Sequence, residues 1–239
     1  MRHTPTYVLT DPLEVKRLIS ENPWATIVSN TATGLVASHY PVVLEETDDP
    51  AEISIVSHVG RPDEKLHELG EHEILVIIQG PHGYISPAWY NEGDFVPTWN
   101  HVTAHLYGTP EILSSEENFE VLDDLVDHFE ARMPQPMSLE IDERAARNIA
   151  RGTVGIRLRV SRFDARLKLS QNKAPEVIER IIAALETDDG PYSHPALAAE
   201  MRRVREATAG DQAVDPETAD RDVVDADGGD DAAAGGVRA

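Results

Sequence analysis

Three segments of the 239-residue chain concentrate side chains suited to ligand chemistry: His82-Gly83-Tyr84-Ile85-Ser86-Pro87-Ala88-Trp89-Tyr90, Val96-Pro97-Thr98-Trp99-Asn100, and Lys168-Leu169-Ser170-Gln171-Asn172-Lys173. Aromatic residues are scarce, with 3 Trp, 6 Tyr and 4 Phe, and Tyr84, Trp89, Tyr90, Phe95, Trp99 and Tyr107 crowd into one stretch. Large flat side chains among His, Asn and Thr suit a site that stacks on a planar ring and hydrogen-bonds its edge. The same residues would also serve as core or interface aromatics.

Lysine is rarer still, and the four are Lys16, Lys65, Lys168 and Lys173. Two of them bracket Ser170, Gln171 and Asn172, a composition that fits an anion such as a phosphate. A solvated basic turn before a helix would read the same way. A third candidate is Ser57-His58-Val59-Gly60-Arg61, with Lys65 one helical turn later. A helix start flanked by Arg and Lys can hold an anion. Ion pairing of those cations with Asp63, Glu64 or Glu68 is the competing expectation.

Other chemistries find little support. The chain has no cysteine, which excludes disulfides, thiolate metal sites and thiol catalysis. Among 10 histidines, His101 and His105 are four apart. That spacing suits zinc on a helix, but on a strand it separates them by roughly 13 Å. No metal site is expected; haem held by one histidine stays open, because a single ligand needs no spacing rule. No nucleophile elbow, Walker loop or dinucleotide fingerprint occurs, and no catalytic residue stands out.

Charge narrows the partners. Forty-three acids against 21 bases give a net charge of −22. Acids spread over the whole chain, with lysine nearly absent, suggest adaptation to high salt. Such a field repels nucleic acid, so direct DNA binding is not expected. No stretch of 18 apolar residues is present and the N-terminus lacks an apolar signal region, which points to the cytoplasm.

The elements that must position these residues follow from periodicity and punctuation. Asp11-Pro12 opens a helix that Asn22-Pro23 ends. Strands are expected at 25–29, 35–44 and 53–59, then a short helix at 62–69. The five aliphatics Ile74 to Ile78 predict a strand buried on both faces, with a turn at Gly80-Pro81. A strand at 98–107 alternates, with Val102, Ala104 and Leu106 on one side and Trp99, His101, Thr103, His105 and Tyr107 on the other. Ser114 and Glu117 form a capping box before a helix with Phe119, Leu122, Leu125, Val126, Phe129 and Met133 on its apolar face. A short helix at 142–150, one long strand within 153–169 and two C-terminal helices complete the plan. Residues 1–187 form the main domain and 188–208 a C-terminal helix. Residues 209–239, rich in Ala, Gly and Asp, read as a disordered acidic tail. The fold class is mainly β (α+β), with an antiparallel barrel rather than a doubly wound sheet.

The strings HGYISPAWY, VPTWN, HLYG (His105 to Gly108) and KLSQNK, in this order and spacing, resemble the PaiB family, FMN-binding proteins described as negative transcriptional regulators. The resemblance runs from about Tyr7 to Leu185. It implies a split β-barrel related to pyridoxamine-phosphate oxidases and flavin reductases, dimeric, with FMN between the subunits. On this resemblance Ser57, His58 and Arg61 match the stretch that meets flavin phosphate. The family's Asn-Pro after that Arg is Asp63-Glu64 here, with Lys65 available as a substitute contact. Trp99, Asn100, Lys168, Gln171 and Asn172 match further motif positions. The implied function is FMN binding, with indirect transcriptional regulation or a flavin-dependent oxidoreductase activity; a haem-binding or haem-degrading split barrel is the alternative.

Overall fold

The computed structural model describes residues 4–90, 96–187 and 190–214, with side chains described as far as residue 207. Among the described residues ten strands and six α-helices follow in chain order: β1 (Val8–Leu9), α1 (Pro12–Glu21), β2 (Trp24–Thr31), β3 (Gly34–Pro41), β4 (Val43–Leu44), β5 (Ser54–Gly60), α2 (Arg61–Leu66), β6 (Ile74–Ile85), β7 (Thr98–Gly108), β8 (Glu111–Ile112), α3 (Ser115–Glu130), α4 (Glu143–Ala150), β9 (Thr153–Arg159), β10 (Arg162–Lys168), α5 (Pro175–Glu186) and α6 (Pro195–Val214). They form a six-stranded sheet, β1-β10-β7-β6-β2-β3, and a four-stranded sheet, β4-β5-β9-β8. Their pairings are antiparallel. This is the mainly β, antiparallel α+β class expected.

The helix starts behave as written in the sequence. Asp11 accepts from the Leu13 N–H at 2.9 Å, and Ser114 and Glu117 close a reciprocal capping box. In α1 the buried face is Val15, Leu18 and Ile19, whereas Leu13 is exposed. That stripe packs on the inner sides of β6 and β7, where Val76, Ile78, Val102, Ala104 and Leu106 are buried. A second cluster joins Val43, Val56, Leu113, Val121 and Leu125 beneath α3.

Four local expectations change. Ile74 to Ile78 bury only alternate residues, Leu75 and Ile77 being half-buried, because an antiparallel strand of this sheet has one core face. Gly80-Pro81 is a bulge inside β6, where the register shifts between Gln79 and His82. A Cβ on Gly80 would sit 2.6 Å from Leu18 Cδ1, so the missing side chain is what lets α1 seat there. The long strand within 153–169 is two strands in different sheets. At the break Val160 N–H donates to Ile53 O and Ser161 N–H to Tyr107 O, so adjacent residues bond to opposite sheets. Likewise 35–44 divides into β3 and β4, one in each sheet.

In α3 Leu125 of the expected face is buried, together with Asn118 and Val121, while Phe119, Leu122, Val126 and Phe129 are half-buried and Met133, past the helix end, is exposed. Asn118 Nδ2 donates to Ala150 O at 3.3 Å and Thr153 Oγ1 at 3.1 Å. Gly155, without a Cβ, admits the Asn118 backbone. A compact unit ends at Met201, inside α6, and a separate unit begins at Arg202. The backbone of α6 remains helical to Val214, and the rest of the expected acidic tail lies outside the described residues. Among the described residues no helix is long and apolar enough to cross a membrane.

Candidate functional site

The sequence-predicted residues gather in two places. Ser57, His58, Arg61 and Lys65 lie where β5 runs into α2. Trp99, Asn100, Lys168, Gln171 and Asn172 lie where β7 begins and β10 ends. No described hydrogen bond, ion pair or ring contact joins the groups. Tyr40, beside the first group, stands opposite Ala25 on β2, while Trp99 stands opposite Tyr84 on β6. The β2–β6 register, with Thr26 opposite Ile77, then separates them by on the order of 20 Å along and across the sheet.

At the first place the backbone donors are already engaged. Gly60 N–H donates to Tyr40 Oη at 3.1 Å and Arg61 N–H to Gly152 O at 3.1 Å. An anion here is therefore read by side chains. Arg61 Nε donates to Arg151 O at 2.6 Å, and its guanidinium has no carboxylate partner among the described residues. Arg61, Arg147, Arg151, Phe119 and Asn118 line a cavity of about 240 Å³. Arg147 is neutralised there, because Glu116 takes it with two hydrogen bonds of 2.9 Å and Glu143 with one of 2.7 Å. Arg151, like Arg61, has no carboxylate partner among the described residues. The cavity thus carries surplus positive charge in a chain of −22. A larger cleft of about 470 Å³ under α3 has the opposite character, with Glu45, Glu46, Glu117, Glu120 and Asp124 on its walls.

Ser57 is buried and donates to Pro41 O at 2.6 Å, so it ties β5 to the end of β3. His58 meets Tyr40 edge to face, with ring centroids 6.2 Å apart. Its Nδ1 is buried with no hydrogen-bond partner, and burial lowers its pKa, which keeps the ring neutral. His58 does not line the Arg61 cavity, so its orphaned nitrogen faces the protein interior. Lys65 is exposed on α2, outside the cavity.

At the second place most polar groups serve the fold. Asn100, 0% exposed, accepts from Ser170 Oγ at 3.0 Å and donates to Met201 Sδ at 3.5 Å. Ser170 has a φ of 64°, a left-handed conformation that the bond to Asn100 helps to hold. Gln171 accepts from Leu169 N–H at 2.7 Å and donates to Leu167 O at 2.5 Å. Lys168 donates to Thr98 Oγ1 and to Trp99 O, and burial lowers its pKa. Trp99 is 56% exposed and Asn172 is exposed too. Trp99 stands edge-on to Tyr84, which also touches Tyr192 at a centroid distance of 4.8 Å. This is an open aromatic surface, with the polar residues locking the turn beneath it.

Sequence reasoning passed over Tyr40 and Arg151, and read Phe119 only as part of a helix's apolar face. Arg147 and Arg151, four apart on one helical face, were a usable signal. Nothing along the chain shows that α4 ends against Arg61. Among the described residues no three His, Asp or Glu side chains stand together as a metal set.

The family model described as "Putative FMN-binding domain" matches residues 1–162. The chain is 29% identical over 191 residues to protease synthase and sporulation protein PAI 2 of Bacillus subtilis, spanning 79% of this chain and 91% of that one. Among solved structures, the FAD and heme binding protein from Mycobacterium smegmatis superposes with a TM-score of 0.51 at 18% identity, over 72% of this chain and 78% of that chain. The flavocytochrome Anf3 from Azotobacter vinelandii gives 0.51 at 13% identity, over 70% and 72%. At such identities the structural likeness concerns the fold, which is that of the split β-barrels. The family match, the Bacillus relative and the split-barrel fold converge: this chain belongs to the PaiB family of FMN-binding-domain proteins.

Proposed function

We propose that the protein binds FMN as a cytoplasmic homodimer, with the cofactor at the subunit interface, and supports flavin-dependent redox chemistry. The observation that carries this reading is the cavity where Arg61 and Arg151 stand without a carboxylate partner among the described residues, in a chain with 43 acids. Guanidiniums left unneutralised against such a field fit a phosphate, which they grip with charge-assisted forked hydrogen bonds. Arg61 and Arg151 would hold that phosphate, with Lys65 adding long-range attraction. Trp99 and Asn172 are exposed enough to touch a ligand, while Asn100, Lys168 and Gln171 hold the turn that carries them. Bound flavin supplies the redox chemistry, and the protein supplies binding, orientation and exclusion of water.

The outer side of β2 and β3 supports the homodimer. β3 is a sheet edge whose eight residues include no charged Asp, Glu, Lys or Arg. Leu35 is 77% exposed and Trp24 on β2 63% exposed. An uncharged, apolar edge invites a partner, and a second copy would cover it. A regulatory role would run through a protein or metabolite partner, because the charge of −22 disfavours duplex binding.

Titration of the purified protein with FMN, followed by flavin absorption and fluorescence, tests the reading. Saturable binding that weakens in Arg61→Ala is expected. A protein that leaves the flavin spectrum unchanged at saturating concentrations sinks it. One observation favours a second reading: His101 and His105, half-buried on the outer side of β7, are both held neutral chiefly by burial, the form that ligates haem iron. A Soret band on adding haem, lost when either histidine is replaced, would select that alternative.

A further inference from the structure

A continuous chain of hydrogen bonds runs behind the Arg61 turn, from the interior of the six-stranded sheet to Asp63 on α2. Ser29 Oγ lies 2.8 Å from His67 Nδ1, and His67 Nε2 lies 3.0 Å from Ser38 Oγ. Ser38 Oγ donates to Asp63 Oδ2 at 2.9 Å, and Tyr40 Oη donates to the same oxygen at 2.7 Å. Tyr40 Oη in turn accepts the Gly60 N–H.

Every direction in this chain is determined. Gly60 N–H can only donate, so the Tyr40 proton points to Asp63. An ionised carboxylate can only accept, so Ser38 also donates to it. With its proton committed, Ser38 accepts from His67, which places a proton on Nε2. His67 is 1% exposed, and its pKa is lowered first by burial. The neutral ring therefore leaves Nδ1 bare, and Ser29 donates to it.

The chain has a consequence for charge. Asp63 is two residues from Arg61, and in this acid-rich protein a neighbouring carboxylate is the natural partner of a free guanidinium. Among the described residues no ion pair joins them. Both hydrogen bonds to Asp63 draw its carboxylate towards β3 and away from the cavity.

We propose that Tyr40 and Ser38 are positioning residues that sequester the Asp63 carboxylate, so that the Arg61 charge stays available to the anionic end of the ligand. This rests on the reading of the Arg61 cavity as a phosphate seat and explains how that seat survives the Asp63-Glu64 sequence beside it. Tyr40 and Ser38 need not touch the ligand, and their effect passes through Asp63 and Arg61.

The test compares FMN with riboflavin, which lacks the phosphate, across Tyr40→Phe, Asp63→Asn and the double variant, with melting temperatures recorded for each. Tyr40→Phe is expected to weaken FMN about 10-fold and riboflavin little, since the carboxylate, then held by Ser38 alone, competes for Arg61. Adding Asp63→Asn to Tyr40→Phe removes the competing charge and should restore FMN affinity to within about threefold. A double variant weaker than Tyr40→Phe alone would mean that Tyr40 acts only as a brace and would overturn the proposal. Equal wild-type affinity for FMN and riboflavin would overturn the phosphate seat itself. Long-range 1H–15N spectra of the full chain decide the relay whether or not flavin binds: a proton on Nε2 of His67 is expected, and one on Nδ1 contradicts it.

Discussion

The two polar clusters differ in what their side chains are left to do. At the β7–β10 end, Asn100, Lys168 and Gln171 are bonded within the chain, and the aromatic surface above them is open to solvent. At the β5–α2 end the protein satisfies the backbone and the carboxylate but leaves two guanidiniums and one imidazole nitrogen with capacity to spare. A signature-like string can therefore be a folding device. Functional capacity is better recognised by the donors that the fold leaves unmatched.

Substitutions that act differently on stability and on ligand affinity can break this comparison. The largest effect is expected for Asn100→Leu. It strands the Ser170 hydroxyl beside a left-handed backbone, and leaving such a buried group unpaired costs about 2–3 kcal/mol. Denaturant melts would register that loss. A change under about 0.5 kcal/mol would mean that the turn is not locked as described. Next comes the double change Arg61→Ala with Arg151→Ala. It should weaken FMN by about 10- to 100-fold, the equivalent of one or two charge-assisted hydrogen bonds, with little change in stability. If instead it lowers stability and spares FMN, the roles of the two clusters are reversed.

The pH dependence should be gentler. Burial lowers the pKa values of both His58 and His67 in the folded protein. Between the ordinary histidine value of about 6.5 and those lowered values, the unfolded chain binds more protons. Stability is therefore retained above that pH and falls as the pH drops through the window. Melts at neutral pH and near pH 5 would measure the fall, and His67→Gln should flatten it. The smallest effect is expected for Trp99→Ala, whose ring is mostly exposed, with stability within about 0.5 kcal/mol. An FMN affinity that drops with it would assign the aromatic surface to the ligand and sharpen the homodimer reading, since that surface and Arg61 are far apart in one chain.

Much of the fold was legible because its signals are local. The Asp11 cap, the Ser114–Glu117 box and the alternation of β7 each depend on residues within one turn or one pleat, and each appears where the sequence places it. The misreadings came from contacts between distant segments. Gly80 looked like a turn because its role, making room for Leu18 some sixty residues earlier, leaves no local trace. The strand from Thr153 looked continuous because the switch at Val160 and Ser161 depends on acceptors at Ile53 and Tyr107. The candidate site divides in the same way. Arg61 and His58 were readable as members of a candidate anion site. That Arg151 joins the first depends on how α4 packs on α3 and β9, and that the second keeps an orphaned nitrogen depends on how β3 packs against β5.

The sequence by itself determined the antiparallel class, the capped helix starts, the charge that disfavours nucleic acid and the family signature, because periodicity, capping and composition act over a few residues. Only the tertiary structure decided which polar groups are free. A hydrogen bond is satisfied by whichever partner packing brings within about 3 Å, and packing joined Ser29 to His67, Tyr40 to Asp63 and Asn100 to Ser170 across 23 to 70 residues of chain.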